Sequence, residues 1–187
     1  MEIQAKRVIA RKTDPTGVWI AVRRPLLVAL IIGCVVSLLD SGVLTPRLAI
    51  PAAFWWTYVP LVEILALFAA SPAARRSGCW QRTIDRYFAG HGPWLFWMAG
   101  LAAWFAFIPT VAILSWRPHI QIVFDSAALA IAWSAYADFQ FFRRNLKQST
   151  WRAARDLVIQ RAIAWTVGLT IFLGGAGYQT VASRLGL

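Results

Sequence analysis

The chain has 187 residues, of which 59% are hydrophobic, 14% charged and 14% aromatic, and its mean hydropathy is +0.57. Soluble domains carry about a quarter charged residues, so this composition excludes a water-facing fold, and with it disorder, a collagen-like fibre and a disulfide-rich secreted scaffold. The formal charge is +11, from 19 basic and 8 acidic side chains; in a soluble protein that bias would point to nucleic acid, but in a membrane protein it is an orientation signal and implies no nucleic-acid partner.

Residues 1–24 form a basic tail holding Lys6, Arg7, Arg11, Lys12, Arg23 and Arg24, with a short apolar stretch at 18–22 around Trp19. A bilayer core of about 30 Å needs roughly 20 apolar residues in a helix. The first stretch that qualifies is 26–44, interrupted near its end by Asp40 and Gly42. After a very short turn the second runs over 49–70, with Pro60 in a position to kink it and expose a carbonyl. The connection that follows carries Arg75, Arg76, Arg82 and Arg86. Within it, residues 79–89 place Trp80, Ile84, Tyr87 and Phe88 on one helical face and Arg82 and Arg86 on another, with Gly90 as C-cap. That pattern suits a helix lying in the membrane interface with its arginines on anionic headgroups; a solvated basic linker is the plainer alternative.

The third stretch is 94–115, the fourth 121–142 and the fifth 162–182. Arg143 and Arg144 begin the basic connection before the fifth, as further headgroup contacts, and Ser149 or Thr150 can cap a helix starting at Trp151. Of the 19 basic residues, 16 fall in the tail and the two long connections, and only Arg47, Arg117 and Arg184 fall on the other side. The positive-inside rule then gives five spans with the N-terminus cytoplasmic and the C-terminus outside. The fold class expected is an all-α polytopic membrane bundle, residues 25–187 forming one transmembrane domain with short cytoplasmic interfacial helices.

Two cysteines, Cys34 and Cys79, sit at different depths, and the two histidines, His91 and His119, fall on opposite sides, so neither pair makes a metal or haem site. No phosphate-binding glycine loop, metalloprotease pair or nucleophile elbow is present, and no cofactor is expected. Glu63 is the deepest acid, seven residues or about 10 Å from the inner end of its span. A carboxylate there must face the bundle, pair or be protonated. With Tyr58 and Pro60 it is the leading candidate for an ion or substrate site, the alternative being a structural hydrogen bond to a neighbouring helix. Asp125 and Asp138 fall near the ends of the fourth span, within reach of interfacial water, and Asp40 lies in the outer third of the first.

Ser126, Ala130, Ser134 and Asp138 recur every four residues, as do Ala99 with Ala103 and Ala164 with Gly168. Such small-residue ridges are packing seams between membrane helices; a channel lining along Ser126–Asp138 is the functional alternative. Trp55, Trp56, Trp94, Trp97, Trp116 and Trp151 mark the interfaces, whereas Trp104, Trp133 and Trp165 are placed to pack between helices.

The five-span plan, the length and the segment DPTGVWIAVRRPLLVALI (residues 14–31), in which a proline, an aromatic and basic residues precede the first span, resemble the Ypt-interacting protein family. These are small membrane proteins linked in eukaryotes to vesicle traffic and widespread in bacteria. The eukaryotic DLYGP-type motif is absent, so the resemblance implies no small-GTPase binding and transfers no functional residue. Sixteen arginines against three lysines fit a GC-rich bacterial gene, hence an inner membrane. The function expected is non-enzymatic, a scaffold or accessory subunit partnered by anionic lipid and by other membrane subunits or itself. A small transporter or channel using Glu63, with Asp138, is the rival; a membrane enzyme would need convergent acids or a histidine beside a base, which the linear sequence does not display.

Overall fold

The computed structural model describes residues 15–107 and 117–185, with side chains for all of these except 15–16, 39–41, 105–106, 117–119 and 176–185. Among the described residues every regular element is helical. In chain order they are α1 (Pro15–Ser41), α2 (Pro46–Trp55), α3 (Tyr58–Ala70), α4 (Pro72–Arg75), α5 (Trp80–Ala89), α6 (Gly92–Phe107), α7 (Arg117–Gln140), a π-helical turn (Phe141–Asn145) and α8 (Thr150–Leu185). Four stretches are long and apolar enough to cross a membrane: Gly17–Leu38, Pro46–Ala70, Ile120–Asn145 and Thr150–Gly175. They correspond to the first, second, fourth and fifth predicted spans. The third predicted span, 94–115, falls in part on α6, whose 16 described residues reach about 24 Å; the rest of it, residues 108–115, lies outside the described residues.

Boundaries shift where a helix continues through basic residues that composition alone assigns to loops. Residues 15–24 of the predicted tail are the opening turns of α1, and α8 starts at Thr150, well before the predicted span at 162. The second span is two helices, because Pro60 has no N–H to return to the Trp56 carbonyl. The freed carbonyl is not left exposed: the Val59 N–H reaches it at 3.1 Å in a tightened turn.

α1 is the centre of the assembly, packed on α2, α3, α5 and α6, while α8 lies on α3 and touches α7. The α1–α2 pair is a tight antiparallel hairpin, closed by Gly42 with φ +70°. A Cβ on Gly33 would lie 2.4 Å from the Ala53 nitrogen and 2.7 Å from the Ala49 oxygen, so the two backbones touch and only glycine fits. We call this the hairpin end of the bundle.

The main core lies at the opposite end, where α3 and α7 finish and α8 begins. It joins Val28 and Ile32 of α1, Leu67 of α3, Ile84, Tyr87 and Phe88 of α5, and Phe141 and Phe142 of the π turn. α5 occupies the predicted residues and presents the predicted faces, with Arg82 and Arg86 exposed. Most of its apolar face, however, is buried against protein, Ile84 being 4%, Tyr87 0% and Phe88 2% exposed, while Trp80 at its start stays 45% exposed. Arg23 donates to the Asp85 carboxylate at 3.0 Å and Arg24 to the Asp85 carbonyl at 2.6 Å, pinning α5 to α1. Trp104 packs on Leu38 as expected. Trp133 and Trp165, expected between helices, are instead 67% and 48% exposed, on faces of α7 and α8 that no described element covers.

Candidate functional site

The end of the bundle opposite the hairpin, the basic end, encloses a cluster of polar side chains drawn from four parts of the chain: Glu63 on α3, Tyr87 on α5 with His91 in the turn after it, Ser134 and Asp138 on α7, and Gln160 and Arg161 on α8. Each approaches the others for a local reason. Glu63 lies on the α3 face that also buries Pro60 and Leu67. Tyr87 lies on the buried face of α5, and His91, buried too, follows four residues later in the turn just past the Gly90 C-cap. Gly90 brings the end of α5 against α7, since a Cβ there would meet the Tyr87 carbonyl at 3.3 Å and Ala137 at 3.4 Å.

His91 Nε2 and Glu63 Oε2 are 2.5 Å apart, and His91 Nδ1 faces the Tyr87 carbonyl at 3.4 Å. Two nitrogens facing two acceptors suit an imidazolium, which has a proton for each. Burial opposes that charge, but the Glu63 carboxylate beside the ring outweighs it and raises the His91 pKa above its usual value. The ring stacks on Phe88 with centroids 4.8 Å apart, which fixes its plane. Gln160 donates to the Tyr87 hydroxyl at 2.8 Å, and that hydroxyl has the Glu63 carboxylate for its own proton. Burial, with the Glu63 and Asp138 charges behind it, holds the Tyr87 phenol well above the usual pKa and therefore protonated.

Arg161 is the matching cation on the other side. It donates to the Asp138 carboxylate and, at 2.7 Å, to the Ser134 hydroxyl. Asp138, Ser134, Gln160 and Tyr87 are all 0% exposed. The expectation that interfacial water reaches Asp138 is therefore corrected: Arg161 replaces the water. Three buried atoms of the cluster, Asp138 Oδ1, Gln160 Oε1 and Arg161 Nε, have no hydrogen-bond partner among the described residues.

The predicted candidates thus separate. Glu63, Asp138 and Ser134 meet, although a whole predicted span (94–115) lies between the first and the others in sequence. Tyr58 does not join them; its ring stacks on Trp56 at 5.7 Å. The side chain of Asp40 lies outside those described. The α7 ridge faces the bundle as a packing seam would, Ala130 being 7% exposed and Ser126 accepting the Trp97 indole N–H at 3.0 Å. Arg143 and Arg144 are exposed on the π turn. Tyr87, His91, Gln160 and Arg161 were not among the site candidates read from the sequence. The one usable signal for the first pair was the place of Tyr87 on the apolar face of an amphipathic helix with His91 four residues on, just past its cap, and for Arg161 its place against the start of an apolar run.

A second polar knot lies nearby. Gln148 bridges the Asp156 carboxylate at 2.8 Å and the Ser71 hydroxyl at 3.0 Å, and Arg155 holds the other Asp156 oxygen at 2.8 Å. This ties α8 to the junction of α3 and α4.

Chemically, the cluster contains what the linear sequence does not display: a histidine against a carboxylate, and two convergent acids. It does not present a nucleophile to a base, because the Ser134 hydroxyl is held by a guanidinium that cannot take its proton. Among the described residues no three His, Cys, Asp or Glu side chains converge as metal ligands. Comparison with protein-family models, with curated proteins and with solved structures finds no match to this chain.

Proposed function

We propose that the chain is a non-enzymatic, five-span protein of a bacterial inner membrane, N-terminus inside and C-terminus outside, that serves as a scaffold or accessory subunit of a membrane assembly. The observation that carries it is the pairing inside the cluster: Glu63 with His91 and Asp138 with Arg161, each pair joining different parts of the fold. Buried pairs add little net stability relative to apolar residues, yet are costly to break, so they select one arrangement of helices over others. A bundle locked in this way presents a fixed outer surface, as a subunit requires. The positive-inside distribution and the Ypt-interacting-protein-like plan support the orientation. A reporter fused after Leu187 is expected to be active only outside the cytoplasm. Affinity capture of the full chain in several mild detergents is expected to return a constant partner or a defined self-assembly; recovery of monomer alone in all of them overturns the subunit role.

Proton-coupled transport is the rival function, favoured by the unpartnered buried atoms Asp138 Oδ1, Gln160 Oε1 and Arg161 Nε beside a titratable histidine. Reconstituted vesicles decide between the two. Transport requires a proton or ion flux that Glu63→Gln abolishes; the lock requires none.

A further inference from the structure

Just beyond the ends of α3 and α7, next to the ionic cluster but separate from it, a recess of about 300 Å³ opens to the surface. Its walls bring Arg82 and Arg86 from α5 and Lys147 from the turn before α8, with Thr83, Asn145 and Phe141 among the remaining lining residues. Three cations therefore converge on one small volume. None has a carboxylate partner among the described residues, the nearby Asp85 being engaged by Arg23 and Arg24. Arg82 and Arg86 stand one helical turn apart, a like-charge spacing that destabilises a helix unless an anion lies between them.

Two backbone features shape the recess. The π turn at Phe141–Asn145 supplies Phe141 and Asn145; single π turns of this kind recur at functional sites. Lys147 has φ +52°, a left-handed conformation that is disfavoured for a non-glycine residue. A lysine is thus held in a disfavoured backbone state at the rim of a basic pocket. The neighbouring recess across Ala73 is different in kind, because it contains Asp156, already bonded to Gln148 and Arg155.

We propose that the Arg82–Arg86–Lys147 recess is a binding site for the phosphate of an anionic phospholipid headgroup. The charges supply the phosphate contacts, Asn145 a neutral donor, and Phe141 and Leu146 an apolar floor for the glycerol end. Its place at the ends of two membrane-length stretches, just past Ala70 and around the last turn before Asn145, puts it at headgroup level. Basic pockets between helices at that level are suited to anionic lipids. The site deepens the membrane assignment above and is independent of the scaffold role and of the number of spans.

Cys79 lines the recess, and the sequence has only one other cysteine, Cys34. In the full chain carrying Cys34→Ser, the rate of Cys79 labelling by a neutral maleimide therefore reports occupancy. Phosphatidylglycerol in mixed micelles is expected to slow labelling saturably relative to phosphatidylcholine, and inorganic phosphate is expected not to. R82Q/R86Q should weaken the phosphatidylglycerol effect by about 30-fold, near fivefold for each lost charge. R82K/R86K, which keeps both charges, should retain it, as should R143Q/R144Q, which removes two charges outside the recess. Equal slowing by phosphatidylcholine overturns the proposal, as does protection by inorganic phosphate at the same concentration, which would make this a soluble-anion site. An equal loss in R143Q/R144Q also overturns it, by showing diffuse surface charge and no site.

Discussion

At the hairpin end, α1 and α2 meet backbone to backbone at Gly33, whereas at the basic end α3, α5, α7 and α8 meet through charged side chains. Lipid tails are as apolar as leucine, so helices in a membrane gain little from hiding apolar surface against each other. They hold together either by approaching closely enough for dispersion to add up, or by offering polar groups that have no other partner. This chain uses the first means where its helices are joined by a short turn and are neighbours in any case. It uses the second where helices distant in sequence must find each other. A close contact through Gly33 specifies distance; an Asp138–Arg161 pair specifies the partner.

The sharpest way to break that contrast is Arg161→Leu. It leaves Asp138 buried without a countercharge and is expected to cost about 3–5 kcal/mol, read as the unfolding midpoint of the purified protein in detergent. Adding Asp138→Leu should recover most of that loss, since a buried pair replaced as a unit is nearly neutral. If the double variant is as unstable as the single one, the pair is not acting as a unit.

Gly33→Ala probes the other end. The new methyl would meet Ala53 and Ala49 backbone atoms, which cannot swing away as side chains can, and is expected to cost about 1–3 kcal/mol. No partner substitution should rescue it, and its size should not change with pH. A smaller effect belongs to His91. Because its pKa is raised in the folded protein, the Glu63–His91 pair contributes in full below the ordinary value of about 6.5 and is lost as pH rises through the folded value. The unfolding midpoint should therefore decrease as pH rises above about 6.5, and His91→Gln should flatten that dependence while Gly33→Ala leaves it intact.

Helix type, the short α1–α2 turn and four membrane-length stretches follow from hydropathy and turn residues, because these depend on a few neighbouring positions. Glu63 and Asp138 were visible as acids too deep to be solvated. Their partners were not, since which cation answers a buried anion depends on the packing of helices far apart in sequence. Arg161 illustrates the difficulty: next to Arg152 and Arg155 it looks like one more loop charge, and only the continuation of α8 through it turns it inward. His91 looked isolated because its only histidine counterpart is His119, while its actual neighbour is a carboxylate 28 residues away in sequence.

α8 has 36 residues and so measures about 54 Å, against a hydrocarbon layer of about 30 Å. A helix that overlong is free to slide along its own axis, or to answer a thicker or thinner bilayer by changing how much of it protrudes. Arg161, about 16 Å from the Thr150 end, is fastened to Asp138 and removes that freedom. The ion pair thereby works as a depth stop: with insertion fixed, α8 can accommodate a change in bilayer thickness only by tilting about α3, its main contact.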